Sequence, residues 1–171
     1  MPDRPSLVLM GVSAAGKTVV GRDAAARAGV VFLDADDLHP AANVAKMAAG
    51  HPLDDADRAP WLDAVGEALR DHRPCIMACS ALKRSYRARL RELAPGTLFA
   101  LLDVPRHVLE KRLATREGHY MPASLLDSQL ATLESPAPGE LVTMLDGERS
   151  IPDLAQQVAD LLAVPAGRDL A

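Results

Sequence analysis

The sequence predicts a three-layer α/β fold in which helices cover both faces of a five-stranded parallel sheet. Apolar runs recur along the chain with helical segments between them, and this alternation is typical of parallel sheets. The runs occupy residues 7–10, 30–33, 75–79, 98–102 and 141–145. The length of 171 residues, 49% of them hydrophobic and 25% charged, suits one globular domain. We therefore expect a single domain over residues 1–171, with a frayed tail at 165–171.

Glycine and proline mark the ends of the helices between these runs. Gly29 is placed to end a helix over 18–28 in the left-handed conformation, and Pro40 and Gly50 frame a helix over 41–49. One further helix is predicted to begin after Asp57 and to run to about residue 71, and the others are predicted over 83–93, 105–116, 123–133 and 152–163. Because ligands gather outside the carboxyl ends of parallel strands, the segments that follow the apolar runs are the candidates for a binding site.

The first apolar run leads into Gly-Val-Ser-Ala-Ala-Gly-Lys-Thr at residues 11–18, which satisfies the phosphate-loop pattern G-x-x-x-x-G-K-[ST]. Gly16 lets the backbone approach a phosphate, and N–H groups at the start of the helix attract it. Lys17 can reach the terminal phosphates, and the Thr18 hydroxyl can bind Mg²⁺. A nucleoside triphosphate is the predicted ligand. Its predicted binding residues in this segment are Gly11, Ser13, Ala14, Ala15, Gly16, Lys17, Thr18 and Val19.

Two carboxylates, Asp34 and Asp36, follow the second apolar run. Beside a triphosphate, one carboxylate can hold Mg²⁺ and the other can orient an attacking hydroxyl and accept its proton. We assign the metal to Asp34, together with Thr18, and the hydroxyl to Asp36. The alternative is that these aspartates cap the following helix or form a turn, which is the interpretation we prefer for Asp37.

The segment after the fourth apolar run carries cations on a helix end that precedes a glycine. Arg112 and Arg116 lie four residues apart, and Gly118 follows where a hinge would be useful. A mobile lid over about 117–133 could bring these arginines to the transferring phosphate and exclude water. Alternatively, both arginines only stabilise the carboxyl end of their helix.

The composition argues against several classes of protein. A net charge of −4, a pI near 5.7 and 3% aromatic residues do not suit a nucleic-acid-binding protein. No apolar stretch reaches membrane-spanning length and the start lacks a secretion signal, so we expect a cytoplasmic protein without membrane contact. Cys75 and Cys79 are interpreted as reduced core residues. The cationic face of Lys83, Arg87 and Arg91 is either solvated or a pocket for a small anion.

Several motifs together resemble the gluconokinases, which belong to the shikimate kinase-like group of phosphate-loop kinases. The resemblance spans nearly the whole chain, and its narrowest parts lie outside the phosphate loop. They are Phe32-Leu33-Asp34-Ala35-Asp36 with Leu38-His39-Pro40, Pro52-Leu53-Asp54 with Pro60-Trp61-Leu62, Cys79-Ser80-Ala81-Leu82-Lys83, Gly118-His119, and Ser128-Gln129 with Thr132-Leu133-Glu134. The family often carries glycine where this chain has Ala14 and Ala35, so we expect a locally adjusted backbone at these positions.

The resemblance implies ATP-dependent phosphorylation of the 6-hydroxyl of D-gluconate, with Mg²⁺ as cofactor, by a homodimer. Lys17, Asp36 and Arg116 are the predicted catalytic residues, and Arg112 and Arg116 join the phosphate loop in binding ATP. The predicted substrate-binding residues are Asp36, His39, Arg58, Lys83, Arg87, His119 and Gln129. We place the adenine near residues 147–152. The alternatives are a kinase for another sugar acid or a shikimate-like polyol, and a nucleotide-hydrolysing switch.

Overall fold

The structure is a computed structural model that describes residues 4–116 and 123–163. Its centre is a five-stranded parallel sheet with strand order β2-β3-β1-β4-β5. The strands are β1 (Leu7–Met10), β2 (Val31–Asp34), β3 (Cys75–Ala78), β4 (Leu98–Asp103) and β5 (Thr143–Asp146). The predicted five-stranded parallel sheet is confirmed, with boundaries that differ by at most two residues.

Seven α-helices and one short 3₁₀ helix connect these strands within the described ranges. The α-helices are α1 (Lys17–Ala28), α2 (Ala41–Ala48), α3 (Asp55–Asp71), α4 (Arg84–Leu93), α5 (Arg106–Ala114), α6 (Ala123–Thr132) and α7 (Ile151–Ala163); the 3₁₀ helix spans Ala35–Leu38. Gly29 ends α1 in the predicted left-handed conformation, with a φ of 67°.

Helix α3 begins earlier than predicted because Asp54, rather than Asp57, is its N-cap. The Asp57 N–H donates to Asp54 Oδ1 over 2.8 Å, and the Asp54 N–H donates to Asp57 Oδ2 over 3.0 Å. This reciprocal capping box satisfies two backbone donors at the start of the helix. Its sequence signal is an aspartate pair three residues apart, a variant of the usual Ser/Thr-x-x-Glu pattern.

The side chains of β1 are buried on both faces of the sheet. Leu7 and Leu9 face one cluster with α1 and α7, while Val8 and Met10 face a second cluster with α3 and α4. All four side chains are 0% exposed. This alternation explains why the run is continuously apolar: successive side chains of a strand point to opposite faces, and here both faces are covered by helices.

The parallel register brings the loops after the strands to one edge. Met10 pairs with Leu101, Asp34 with Ala78, and Asp103 with Asp146. The phosphate loop, the Asp36 segment and the turn at 79–83 therefore share the carboxyl edge of the sheet.

Parts of the predicted lid and tail lie outside the described residues. These are residues 117–122, which include Gly118 and His119, and residues 164–171. Residues 123–132 of the predicted lid form α6. None of the helices in the described part of the chain combines the length and apolar character that a membrane crossing requires.

Close packing of α3 on α4 predicts a stability cost for Gly66→Ala. A Cβ at residue 66 would lie 2.5 Å from the Cβ of Leu93. Overpacking of this kind costs about 1–3 kcal/mol, against about 1 kcal/mol gained by replacing glycine within a helix. The net cost is therefore up to about 2 kcal/mol, which lowers the Tm by up to about 8 °C. Because the closest atom is a Cβ and not the end of a flexible side chain, we expect a clear decrease in the Tm. Thermal unfolding of Glu67→Ala, an exposed neighbour on α3, serves as the control; a Gly66→Ala protein as stable as the parent would contradict this packing.

Candidate active site

The phosphate loop turns sharply between β1 and α1. Gly11 has a φ of 154°, Ala14 of 65° and Gly16 of 98°. A Cβ at Gly11 would come within 2.9 Å of Ala15 Cβ, so the tight turn requires glycine there. Ala14 accepts a left-handed conformation that costs an L-residue about 1–2 kcal/mol. The conformation at Ala14 is one that favours glycine, whereas Ala35 lies in the 3₁₀ helix and has no positive φ.

The start of α1 is built to receive an anion. Gly16 is the N-cap residue, and within the described residues no side chain caps this end. The first backbone N–H groups of a helix lack intrahelical acceptors and carry positive partial charge. Together with the preceding turn they form the phosphate cradle that the motif predicts.

Lys17 lies under this loop and faces the acidic residues of β2. Its Nζ donates to the carbonyl oxygens of Gly11 over 2.9 Å and of Val12 over 3.0 Å. Burial lowers the pKa of Lys17, while the nearby carboxylates of Asp36 and Asp34 oppose that shift. The ammonium is thus held between the phosphate cradle and the carboxylate pair.

Asp34 caps the 3₁₀ helix and also contacts Thr18. Its Oδ1 accepts the Asp36 N–H over 3.0 Å and so caps the 3₁₀ helix, while its Oδ2 accepts the Thr18 hydroxyl over 3.3 Å. A hydroxyl and a carboxylate oxygen suit Mg²⁺, which is often held by one or two carboxylates together with phosphate oxygens and water. Among the described residues there is no cluster of three or more His, Cys, Asp or Glu side chains that could hold a metal.

Asp36 lies beside this pair on the 3₁₀ helix that follows β2, at an exposed position. Partial desolvation by neighbouring groups raises the pKa of Asp36, the charge of Asp34 raises it further, and Lys17 and His39 oppose both. A carboxylate with a raised pKa is a stronger hydrogen-bond acceptor and a better base than an ordinary surface aspartate. The position fits the predicted contact with an attacking hydroxyl.

Arg58 and Lys83 come together around Asp55 and Tyr86. Lys83 Nζ donates to Asp55 Oδ1 and Oδ2 over 2.8 and 3.1 Å, and the Tyr86 hydroxyl donates to Asp55. Arg58 Nη1 donates to the Leu53 carbonyl over 2.7 Å and to the Tyr86 hydroxyl over 3.3 Å. Asp55 and Tyr86 are absent from the predicted site residues, because neither belongs to a motif that carries chemistry by itself.

His39 packs on Trp61 at the edge of this cluster. The two rings stack with centroids 4.6 Å apart and planes inclined by 8°. Trp61 is 3% exposed, and its Nε1–H donates to the Ala35 carbonyl over 2.7 Å. The imidazole therefore rests on a fixed platform.

Arg87 differs from the expectation that it lies on a solvated face or in an anion pocket. Its side chain is fully buried and pairs through Nε and Nη2 with Glu140. Nη1 also donates to the Ala81 and Leu82 carbonyls over 3.1 and 3.2 Å, and Nη2 to the Glu134 carbonyl over 3.1 Å. Arg87 holds the turn at 79–83 in place, and a substrate contact by Arg87 would require this network to open.

The ion pair of Arg87 with Glu140 makes the Glu140 carboxyl more acidic. Hydrogen bonds from Arg87 lower the pKa of Glu140 to about 2. The carboxylate also receives the Ala137 N–H over 3.0 Å and Arg91 Nη1 over 3.4 Å. Arg91 is thus drawn into a structural contact as well, and of the predicted cationic face only Lys83 reaches the Asp55 cluster.

Gln129 contacts the phosphate loop rather than the Asp55 cluster. Its Oε1 accepts the Ser13 N–H over 2.6 Å, and its Nε2 donates to the Ser13 hydroxyl over 2.9 Å. Just past the carboxyl end of α6, the Glu134 N–H donates to the Leu82 carbonyl over 2.8 Å, and the Glu134 carboxylate accepts the Arg84 N–H over 2.7 Å. Helix α6 therefore connects the phosphate loop with the turn at 79–83.

Arg112 donates hydrogen bonds to the backbone of the phosphate loop. Its Nη1 donates to the Ala14 and Ala15 carbonyls, each over 3.2 Å, and its Nη2 donates to the Gly147 carbonyl over 3.0 Å. Arg116 is exposed beyond the end of α5, and its charge contributes to lowering the pKa of Lys17. The Val19 side chain is 55% exposed.

A cavity of about 360 Å³ opens near the predicted adenine position, at the carboxyl ends of β4 and β5. It is lined by Asp103, Pro105, Met144, Leu145, Asp146 and Glu148. Three carboxylates in the lining would repel a phosphate, so the cavity, unlike the cradle at Gly16, does not suit an anion.

The proximity of the two aspartates predicts that Asp34→Asn lowers the pKa of Asp36. The substitution removes one of the negative charges that raise the pKa of Asp36, while an asparagine oxygen can still cap the 3₁₀ helix. Carboxyl ¹³C NMR of the ligand-free protein measures this titration. Asp37→Asn is the matched control, since Asp37 contributes least to the shift. A larger effect from Asp37→Asn than from Asp34→Asn would contradict the arrangement.

Several known proteins are similar to this chain in sequence. A family model described as an AAA domain matches residues 7–136. A gluconokinase from Gluconobacter oxydans is 50% identical over 147 residues, which span 84% of this chain and 83% of the relative. The thermosensitive gluconokinase of Escherichia coli is 40% identical over 157 residues, with 89% and 84% covered.

Solved structures of other kinases are also similar to this chain. The crystal structure of a gluconokinase from Sinorhizobium meliloti has a TM-score of 0.85 at 43% identity, covering 95% of this chain and 94% of that one. A shikimate kinase from Acinetobacter baumannii, with a TM-score of 0.60 at 21% identity over 93% of each chain, shares the fold alone. From the phosphate loop, the fold and these relatives we conclude that the chain belongs to the gluconokinase family of phosphate-loop kinases.

Proposed function

We propose that this chain transfers the terminal phosphoryl group of ATP to the 6-hydroxyl of D-gluconate, which yields 6-phospho-D-gluconate and ADP. The observation that carries the proposal is the convergence of three groups at one sheet edge in a chain that is 40–50% identical to gluconokinases. These groups are the phosphate cradle, the pair of Asp34 and Asp36, and the cations around Asp55. Likeness to shikimate kinases is limited to the fold, so the shikimate-like alternative is not favoured.

On the nucleotide side, the backbone N–H groups before and at the start of α1 hold the phosphates of ATP. Lys17 exchanges the carbonyl oxygens of Gly11 and Val12 for phosphate oxygens when ATP binds. Thr18 and Asp34 would hold Mg²⁺, which when bound neutralises charge on the terminal phosphates. Arg116 is proposed to approach the transferring group from the segment after α5. His119, which lies outside the described residues, is proposed as a substrate contact.

On the acceptor side, Asp36 accepts the hydrogen bond of the attacking hydroxyl and orients its oxygen toward the phosphate. The gluconate carboxylate needs a cation, and Arg58 and Lys83 are the candidates that the Asp55 cluster supplies. Lys83 is now paired with Asp55, whose side chain is 65% exposed, so a substrate carboxylate can compete for Lys83 at a solvent-accessible ion pair. His39 is proposed to contact a substrate hydroxyl.

The direct test is an ADP-coupled assay with ATP, Mg²⁺ and a panel of acceptors that includes D-gluconate, other sugar acids and shikimate. We expect D-gluconate to give the highest kcat/KM, and the product to be oxidised by 6-phosphogluconate dehydrogenase. Lys17→Ala should lower kcat/KM by about 10²-fold or more, because it removes a cation from the transferring phosphate. Preference for another acid would refute the assignment of gluconate, and ADP release independent of any acceptor would indicate a hydrolase.

The contact of Gln129 with Ser13 predicts that Gln129→Ala weakens the binding of ATP more than the binding of gluconate. Loss of two hydrogen bonds to the phosphate loop corresponds to about 1–2 kcal/mol, or roughly a 5- to 30-fold increase in the KM for ATP. Steady-state kinetics with each substrate varied in turn measures the difference. Gln156→Ala, at an exposed position of α7, is the matched control. An increase in the KM for gluconate alone would instead support the direct substrate contact predicted from the sequence.

A further inference from the structure

Asn43 is buried, at 5% exposure, on the inner face of α2. Its Nδ2 lies 2.9 Å from the backbone carbonyl oxygen of Asp57. A carbonyl oxygen can only accept a hydrogen bond, so the amide atom that faces it must be the NH₂ group and not the amide oxygen. The orientation of the Asn43 side chain is thereby determined by chemistry as well as by position.

The same nitrogen lies 3.4 Å from Nδ1 of His39. An amide nitrogen donates and does not accept, so His39 Nδ1 has to offer its lone pair in this contact. In the neutral imidazole, the proton is then on Nε2. An imidazolium would carry N–H groups on both nitrogens and would lose the contact with Asn43.

Two further contacts fix the ring of His39 and its partner. The stacking on Trp61 sets the plane of the imidazole, and Trp61 is itself anchored to Ala35. The Asp57 carbonyl belongs to the first turn of α3, which is held by the capping box and by the ion pair of Asp57 with Lys46. The direction of the Nε2–H bond is therefore set before any substrate binds.

We propose that Asn43 is a positioning residue that fixes His39 as the neutral Nε2–H tautomer, so that His39 offers a hydrogen-bond donor to an oxygen of the sugar acid. The part that concerns the sugar acid rests on the proposed function. His39 then complements Asp36, which accepts a hydrogen bond on the same side of the site. In this arrangement His39 selects for an acceptor oxygen and does not act as an acid or a base.

The charged surroundings are consistent with a neutral ring. Burial lowers the pKa of His39, Arg58 lowers it further, and Asp36 opposes both. A neutral imidazole keeps the Nδ1 lone pair that the Asn43 contact needs.

The test is long-range ¹H–¹⁵N NMR of the full chain with ¹⁵N-labelled histidine, without ligands and at slightly alkaline pH. The chain has five histidines, and the signals of His39 are those missing from a His39→Gln sample. We expect the Nε2–H pattern in the parent protein and a mixture of tautomers in Asn43→Ala. An Nδ1–H pattern in the parent protein would overturn the proposal without any variant. An Asn43→Ala spectrum unchanged from the parent would also overturn it.

Kinetics of the same variants test the link to the substrate. Asn43→Ala should raise the KM for gluconate by roughly three- to tenfold, with the KM for ATP nearly unchanged. Met47→Ala, on an exposed position one turn further along α2, is the control and should change neither. A changed tautomer with an unchanged KM for gluconate would overturn the link to substrate. Because the tautomer is measured without substrate, this outcome is separate from a failure of the proposed function, which the acceptor panel reports.

Discussion

The parallel pairing of β1 with β3 on one side and β4 on the other is the constraint on which the site depends. Strand β1 is buried on both faces, and its register with both neighbours is set by side chains that alternate between two cores. A slip of one residue would exchange Leu9 and Met10 between those cores. Because the strand ends are fixed in this way, the phosphate loop, the Asp36 segment and the turn at 79–83 must meet at one edge.

Buried polar contacts then fix these loops relative to one another. Arg87 and Glu140 form an ion pair in the interior, and the donors of Arg87 also hold the carbonyl groups of Ala81 and Leu82. A buried pair is costly to desolvate and is strongly destabilising when one partner is removed, so its geometry is restrictive. Helix α6 adds a second connection, since Gln129 contacts Ser13 and Glu134 contacts the turn at 79–83. The phosphate loop and the turn at 79–83 are thus joined through the protein.

Local features of the sequence were sufficient to predict the fold and the placement of the phosphate loop beside Asp34 and Asp36. The phosphate loop is a contiguous motif after a buried run. Asp34 ends the next strand along the chain and Asp36 follows it, so position along the chain is enough to bring these residues together. Residues whose roles depend on distant partners could not be predicted in the same way. Arg87 has the helical spacing of a surface cation, yet its partner Glu140 is 53 residues away. Gln129 likewise contacts Ser13 across 116 residues.

The central claim is that the carboxylates beside the phosphate cradle deliver a gluconate hydroxyl to ATP. The most direct measurement is a crystal structure of the chain with a non-hydrolysable ATP analogue, Mg²⁺ and D-gluconate. We predict that the terminal phosphate lies between Lys17 and Asp36, and that the 6-hydroxyl of gluconate donates to Asp36 in line with that phosphate. Gluconate bound away from this edge, or Asp36 turned away from the 6-hydroxyl, would contradict the account.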